Sequence, residues 1–118
     1  MTSEDVVRQY FICMQRGAEA ETDLLALFHD DAVYVEPFTA PGTSRTHEGK
    51  PAIRAALRQG WEAPPPDMTL TVDRIDTDGD EVTSRWTCAS PVFPGPIAGE
   101  DRYVVREGRI ARLDVRLL

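Results

Sequence analysis

Leu27-Phe28-His29-Asp30-Asp31-Ala32-Val33-Tyr34-Val35-Glu36-Pro37 runs from a helix end straight into a short strand that stops on a carboxylate followed by proline. Alternation puts Ala32, Tyr34 and Glu36 on one face of that strand and Val33 and Val35 on the other. Glu36 is thereby a candidate general base. It shares its face with an aromatic and a small residue, and two environments are open to it. Either it reaches the rim of the strand and solvent, or it sits in a pocket where loss of water raises its pKa toward values useful for proton transfer.

Upstream of this strand, Val6, Val7, Tyr10, Phe11 and Met14 recur at helical spacing, and Thr2 or Ser3 with Glu4 and Asp5 supplies a cap with favourable first-turn charge. The pattern predicts a helix from Ser3 to Arg16, ended by Gly17. A short second helix restarts at Thr22 or Asp23 and continues through Leu24, Leu25, Leu27 and Phe28, so that the pair forms a hairpin presenting Tyr10 inward. Downstream, Phe38 to His47 is rich in Pro, Gly, Thr and Ser and reads as an irregular loop, with a short strand at Arg45 to Glu48. Gly49-Lys50-Pro51 opens a third helix with a buried stripe of Ile53, Leu57 and Trp61, stopped by Gly60 and the Pro64-Pro65-Pro66 run.

The second half reads as strands at Met68 to Asp76, Glu81 to Ser90, Glu100 to Arg106 and Arg109 to Leu117, with tight turns at Asp78-Gly79-Asp80 and Glu107-Gly108. Helices followed by strands indicate an α+β fold. A long antiparallel sheet that curls round the helices leaves a concavity where a small ligand fits, and the Pro91 to Ile97 connection is placed to roof it.

The 118 residues suit one domain, 1–118, with at most one active site per subunit. Twenty acidic against 13 basic residues give a net charge of −7 with no Lys/Arg cluster, which argues against nucleic acid or an anionic membrane as partner. No apolar run reaches bilayer length and the N-terminus lacks the basic-then-apolar order of a secretory signal, so a soluble, cytoplasmic protein is expected. Cys13 and Cys88 read as reduced packing residues. His29, Asp30 and Asp31 cluster, with His47 elsewhere, but the spacing fits no recognised metal site; His29 reads as a residue capping or facing a helix end. Neither metal nor cofactor is expected, and there is no glycine-rich phosphate loop, no Gly-x-Ser-x-Gly elbow and no Cys/His nucleophile arrangement.

Val6-Val7-Arg8-Gln9-Tyr10, the Leu27-Phe28-x-Asp30-Asp31-Ala32 entry running to Val35-Glu36-Pro37, Glu48-Gly49-Lys50-Pro51-Ala52-Ile53-Arg54 and the closing hairpin resemble the nuclear transport factor 2-like superfamily. Within it, the chain is similar to the ketosteroid isomerases and SnoaL-like polyketide cyclases over nearly its whole length. The resemblance implies a curved, mixed sheet wrapped round the three helices as a cone-shaped barrel with an internal pocket, and a homodimer paired through exposed sheet faces. It also implies roles. Tyr10 matches a tyrosine that donates to the substrate oxygen, Glu36 the carboxylate that moves the proton, and Asp101 a protonated carboxyl that gives a second donor. The family's usual base is aspartate, and Leu57 stands nearest to where the isomerases carry a pocket aromatic.

These residue types belong together chemically. Removing a proton beside a carbonyl creates an enolate, so catalysis needs a base near carbon and fixed donors where negative charge gathers on oxygen. Asp101 can donate only when neutral, and it shares its strand face with Tyr103 and Val105, an apolar setting. Tyr34, Trp61, Trp86, Phe93 and Tyr103 are candidate pocket residues, though each also suits plain core packing. Asp114, between Arg112 and Arg116, either balances their charge or faces the cavity as a second acid. The expected activity is therefore cofactor-independent acid–base catalysis on a small hydrophobic carbonyl compound, steroid- or polyketide-like, by double-bond isomerisation or aldol-type cyclisation. Two rivals stand beside it. One is epoxide opening, with Glu36 activating water and Asp101 protonating the departing oxygen. The other is a non-catalytic ligand-binding or dimerising module, in which no carboxyl titrates well above its ordinary value.

Overall fold

The first helix, α1 (Ser3–Arg16), starts at a reciprocal cap. The Thr2 hydroxyl accepts from the Asp5 N–H at 3.1 Å, and the Asp5 carboxylate accepts from the Thr2 N–H at 2.9 Å. The computed structural model describes residues 1–39 and 42–118. The helical stripe is the buried face of α1, with Val6, Val7, Tyr10 and Phe11 inside. Gly17 ends the helix at φ +72°, a conformation glycine adopts without the steric cost of a Cβ.

A 3-10 turn (Gly17–Ala20) and α2 (Glu21–Ala26) follow. The leucine spacing predicted α2 through Phe28, but Phe28 already pairs with Ile110, and the Ile110 N–H donates to the Leu27 carbonyl at 2.7 Å. A strand partner remote in sequence therefore overrides the local helical pattern. The same pairing corrects the reading of His29, which lies within a strand, with its Nε2 2.6 Å from the Arg106 carbonyl rather than at a helix end.

Six strands form one mixed sheet: β1 (Phe28–Glu36), β2 (Arg45–Glu48), β3 (Thr69–Asp78), β4 (Glu81–Ala89), β5 (Ile97–Arg106) and β6 (Arg109–Leu117). Their order is β2-β1-β6-β5-β4-β3, antiparallel throughout except for the parallel pair β1 and β6. The first strand thus lies between β2, the next in sequence, and β6, the last. β5 begins three residues before the expected Glu100, because Ile97, Ala98 and Gly99 pair with Cys88, Thr87 and Trp86. Alanine and glycine carry little strand preference of their own, so cross-strand pairing extends the element.

The third helix, α3 (Lys50–Trp61), runs through Gly60, which weakens a helix without breaking it, and stops before the prolines. The sheet curves without closing. β2 and β3 are its edges, and among the described residues neither pairs with the other. α1 lies against β3, β4 and β5, while α3 lies against β1 and β2, so the helices occupy the concave side. The Gln15 amide donates to the Leu70 carbonyl at 2.7 Å and ties α1 to the β3 edge. Among the described residues no helix is long and apolar enough to cross a membrane.

Candidate active site

Strand parity decides what faces the concave side. On β1, Ala32, Tyr34 and Glu36 are buried and Val33 and Val35 only partly so, as the alternation predicted. On β5 the inward set is Gly99, Asp101, Tyr103 and Val105; on β6 it includes Leu113 and Val115. Val35 pairs with Asp114, and Asp101 with Val115. Continuing that register sets Glu36, Val115 and Asp101 on one rung, the two carboxylates separated by one strand, or roughly 10 Å of backbone spacing.

The space between this rung and the helices is a cavity of about 860 Å³. Tyr10, Glu36 and Asp101 all line it, and so do Tyr34, Trp61, Trp86 and Phe93, the last from the connection before β5. Tyr103 and Asp114 do not. Tyr103 faces inward one rung lower, opposite Leu113, packed against Tyr10 with ring centroids 5.7 Å apart. Asp114 points to the outer face between two inward apolar neighbours and accepts from Nε and Nη2 of Arg112, at 2.8 and 3.0 Å. Its role is charge balance, and the parity of Leu113 and Val115 already implied it.

Glu36 is only 4 % exposed, yet it is not a raised carboxyl. Burial pushes its pKa up, but the Thr39 hydroxyl, the Phe38 N–H and the His47 ring donate to it, and together they hold it below the usual carboxylate range. Oε2 accepts from the N–H groups of Phe38 at 2.6 Å and Thr39 at 3.2 Å. Oε1 accepts from the Thr39 hydroxyl and lies 3.2 Å from His47 Nε2. An ionised carboxylate offers about four acceptor positions, so those of Glu36 are filled from within the protein. Sequence reading missed Thr39 and weighed His47 only as a metal ligand. The register of β1 and β2, which sets His47 opposite Tyr34 and two residues from Glu36, carries that information.

One consequence is testable without a substrate. Glu36→Gln turns an acceptor into a donor against groups that already donate, and should lower stability by roughly 1–3 kcal/mol. Because the folded-state pKa lies below the ordinary 4.5, the ionised form contributes stability that is present above that value and is lost as pH falls below it. Thermal melts from neutral to acid pH should therefore show a smaller acid loss in Glu36→Gln than in wild type.

Asp101 has the opposite character. It is 2 % exposed, and burial raises its pKa to about 6 against the opposing pull of donors from Trp86, Tyr103 and Ser84. Trp86 Nε1 donates to Oδ1 at 2.8 Å, the Tyr103 hydroxyl to Oδ2 at 2.7 Å, and the Ser84 hydroxyl reaches Oδ2 at 3.4 Å. Three donors leave one acceptor position open, and among the described residues Asp101 has no ion pair.

The hydroxyls of Tyr10 and Tyr34 make no hydrogen bond among the described residues, and no sealed side-chain polar atom lacks a partner. Both hydroxyls therefore open to the cavity. Burial, with the Asp101 charge adding to it, keeps both phenols protonated far into alkaline pH. The cavity thus offers two neutral O–H donors, one carboxylate held ionised at neutral pH and one carboxylate that exchanges its proton near neutrality. Divergent carboxyl acidities in one site are the usual condition for dividing acid–base roles.

A family model described as a SnoaL-like domain matches residues 7–113. Among solved structures, a candidate ketosteroid isomerase from Kribbella flavida DSM 17836 is 23% identical, covering 98% of this chain and 77% of its own, with a TM-score of 0.77. A candidate polyketide cyclase from Sinorhizobium meliloti is 26% identical over 98% of this chain and 100% of its own, with a TM-score of 0.71. An LEH-like epoxide hydrolase from M. tuberculosis is 19% identical over 98% and 82% of the two chains, with a TM-score of 0.74. No curated protein sequence matches. One fold thus carries three different named chemistries, and fold does not choose among them.

Proposed function

The chain belongs to the SnoaL-like domain family, and on that premise we propose that it is a cofactor-independent acid–base enzyme acting on a small apolar carbonyl compound. The reaction is movement of a proton to or from carbon, completed as double-bond isomerisation or as ring closure. The observation that carries this reading is the convergence of Asp101, with one acceptor position open, and the unpartnered Tyr10 hydroxyl on one apolar cavity.

Asp101 accepts a proton from the carbon beside the carbonyl, and the C–H electron pair moves to make an enolate. Tyr10 donates to the oxygen on which the charge gathers, with the Tyr34 hydroxyl as a second donor. In isomerisation Asp101 returns the proton to a different carbon. In cyclisation the enolate carbon attacks a second carbonyl, and the proton ends on the new alkoxide. Glu36 stays ionised and holds Phe38 and Thr39 in the cavity wall. The role expected for Glu36 from sequence thus passes to Asp101, because the acceptor positions of Glu36 are occupied.

The test is hydrogen–deuterium exchange in D2O. Enones and diketones selected by thermal stabilisation of the protein should lose their α-protons faster with enzyme than in buffer. Bound ligands that exchange no faster than in buffer would count for a binding module. If Glu36→Gln lowers exchange per folded molecule as far as Asp101→Asn does, the proton passes through Glu36 instead.

A second reading, epoxide opening, draws on the same two-carboxylate cavity. Asp101 accepts a proton from water, the hydroxide attacks carbon and the C–O bond breaks, with Tyr10 hydrogen-bonding the departing oxygen; Asp101 then returns its proton to that alkoxide to give a diol. Product analysis on matched epoxides and enones separates the two.

A further inference from the structure

Gly99 stands directly opposite Trp86 in the register of β4 and β5. A Cβ added at Gly99 would fall inside the Trp86 indole, nearest to Cζ2, Cε2 and Cη2, closer than carbon atoms can approach. The indole therefore fills the place of the missing side chain, lying across β5 toward Asp101, two residues further along the same face. At Asp101 its Nε1 donates to Oδ1 at 2.8 Å. An indole N–H only donates, so this bond favours the ionised carboxylate over the neutral acid. The other donors on Asp101, Ser84 and Tyr103, lie 2.9 Å from each other and can each reverse direction. Trp86 is thus the one fixed donor of the set.

We propose that Gly99 is a positioning residue for Asp101: the absence of a side chain at Gly99 lets Trp86 hold the carboxylate in its proton-accepting form at the cavity wall. This rests on the reading of Asp101 as the group that exchanges the substrate proton. A merely structural Gly99 would make room for a large core side chain and leave the titration of Asp101 unmoved.

Asp101 can be followed by carboxyl 13C NMR, and Trp86 by its indole N–H signal, with Trp61, the other tryptophan, as internal reference. In wild type the Trp86 N–H should shift with the Asp101 midpoint near pH 6 while Trp61 stays still. Gly99→Ala and Trp86→Phe should each raise that midpoint by roughly one pH unit, the worth of one hydrogen bond to a charged group. The double variant should match Trp86→Phe alone, because the smaller ring leaves room for the added methyl. An unchanged midpoint in Trp86→Phe, or an additive rise in the double variant, overturns the proposal. If Gly99→Ala alone does not fold, Trp86→Phe and the double variant still decide it. These titrations need no substrate. Shifts as expected with no enhanced exchange on any bound ketone would instead sink the proton-transfer reading and leave the Gly99 arrangement standing.

Discussion

Asp101→Asn should turn over about a hundred- to ten-thousand-fold more slowly, the span of a lost general base, while resisting denaturation better than wild type above pH 6. The stability gain follows from linkage. Asp101 has a folded-state pKa near 6 against 3.8 for a free aspartate, so the folded protein prefers the neutral acid. That stability is complete below pH 3.8 and is lost as pH rises through 6, about 3 kcal/mol in all at some 1.4 kcal/mol per pH unit. Asparagine escapes the loss because it stays neutral. Its carbonyl still accepts from Trp86, and its amide donates to the Tyr103 or Ser84 hydroxyl.

Urea unfolding at about pH 3, below both pKa values, and at about pH 8, above both, should show the variant's advantage at the higher pH only. Wild-type kcat/KM should climb to a plateau above pH 6, and this limb should vanish in the variant. Asp101→Leu should be as slow but less stable, since it strands the Trp86 N–H without an acceptor. If Asn keeps most of the rate while Leu loses it, Asp101 acts as a neutral donor, the role the family resemblance implies, and the proton belongs to Glu36.

Tyr10→Phe should cost roughly a hundredfold to a thousandfold in kcat with KM little changed, as for the loss of one donor at a developing oxyanion. Stability should hardly move. The ring keeps its edge contacts with Phe11, Phe28 and Tyr103, at 5.4, 6.4 and 5.7 Å between centroids, and the hydroxyl gives up no bond inside the protein. Tyr34→Phe is the comparison, and the larger loss identifies the main donor. Equal, near-wild-type rates in both variants would remove the tyrosines from the mechanism and leave the cavity as a binding site.

Local signals determine much of this molecule from sequence. Thr2 with Asp5 and Gly17 bound α1 at the residues predicted, because caps act within one helical turn. Period-two alternation turns Tyr34 and Glu36 inward, and glycine at φ +62° and +75° closes the two tight hairpins, β3–β4 at Gly79 and β5–β6 at Gly108. Even the outward face of Asp114 was implicit in its apolar neighbours. These readings depend only on residues a few positions apart.

The tertiary structure decided what the carboxylates are. Glu36 and Asp101 both lie on inward faces, and burial alone would raise both. They diverge because a loop and the β1–β2 register bring four donors to Glu36, whereas β4 and β5 bring three donors to Asp101 and, among the described residues, no cation. Acidity in a buried site is a difference between desolvation and hydrogen bonding, each large and each set by residues remote in sequence. The sequence by itself determined which residues of β1 turn inward, since that needs only periodicity. Which of them can move a proton depended on partners that only the folded sheet brings together.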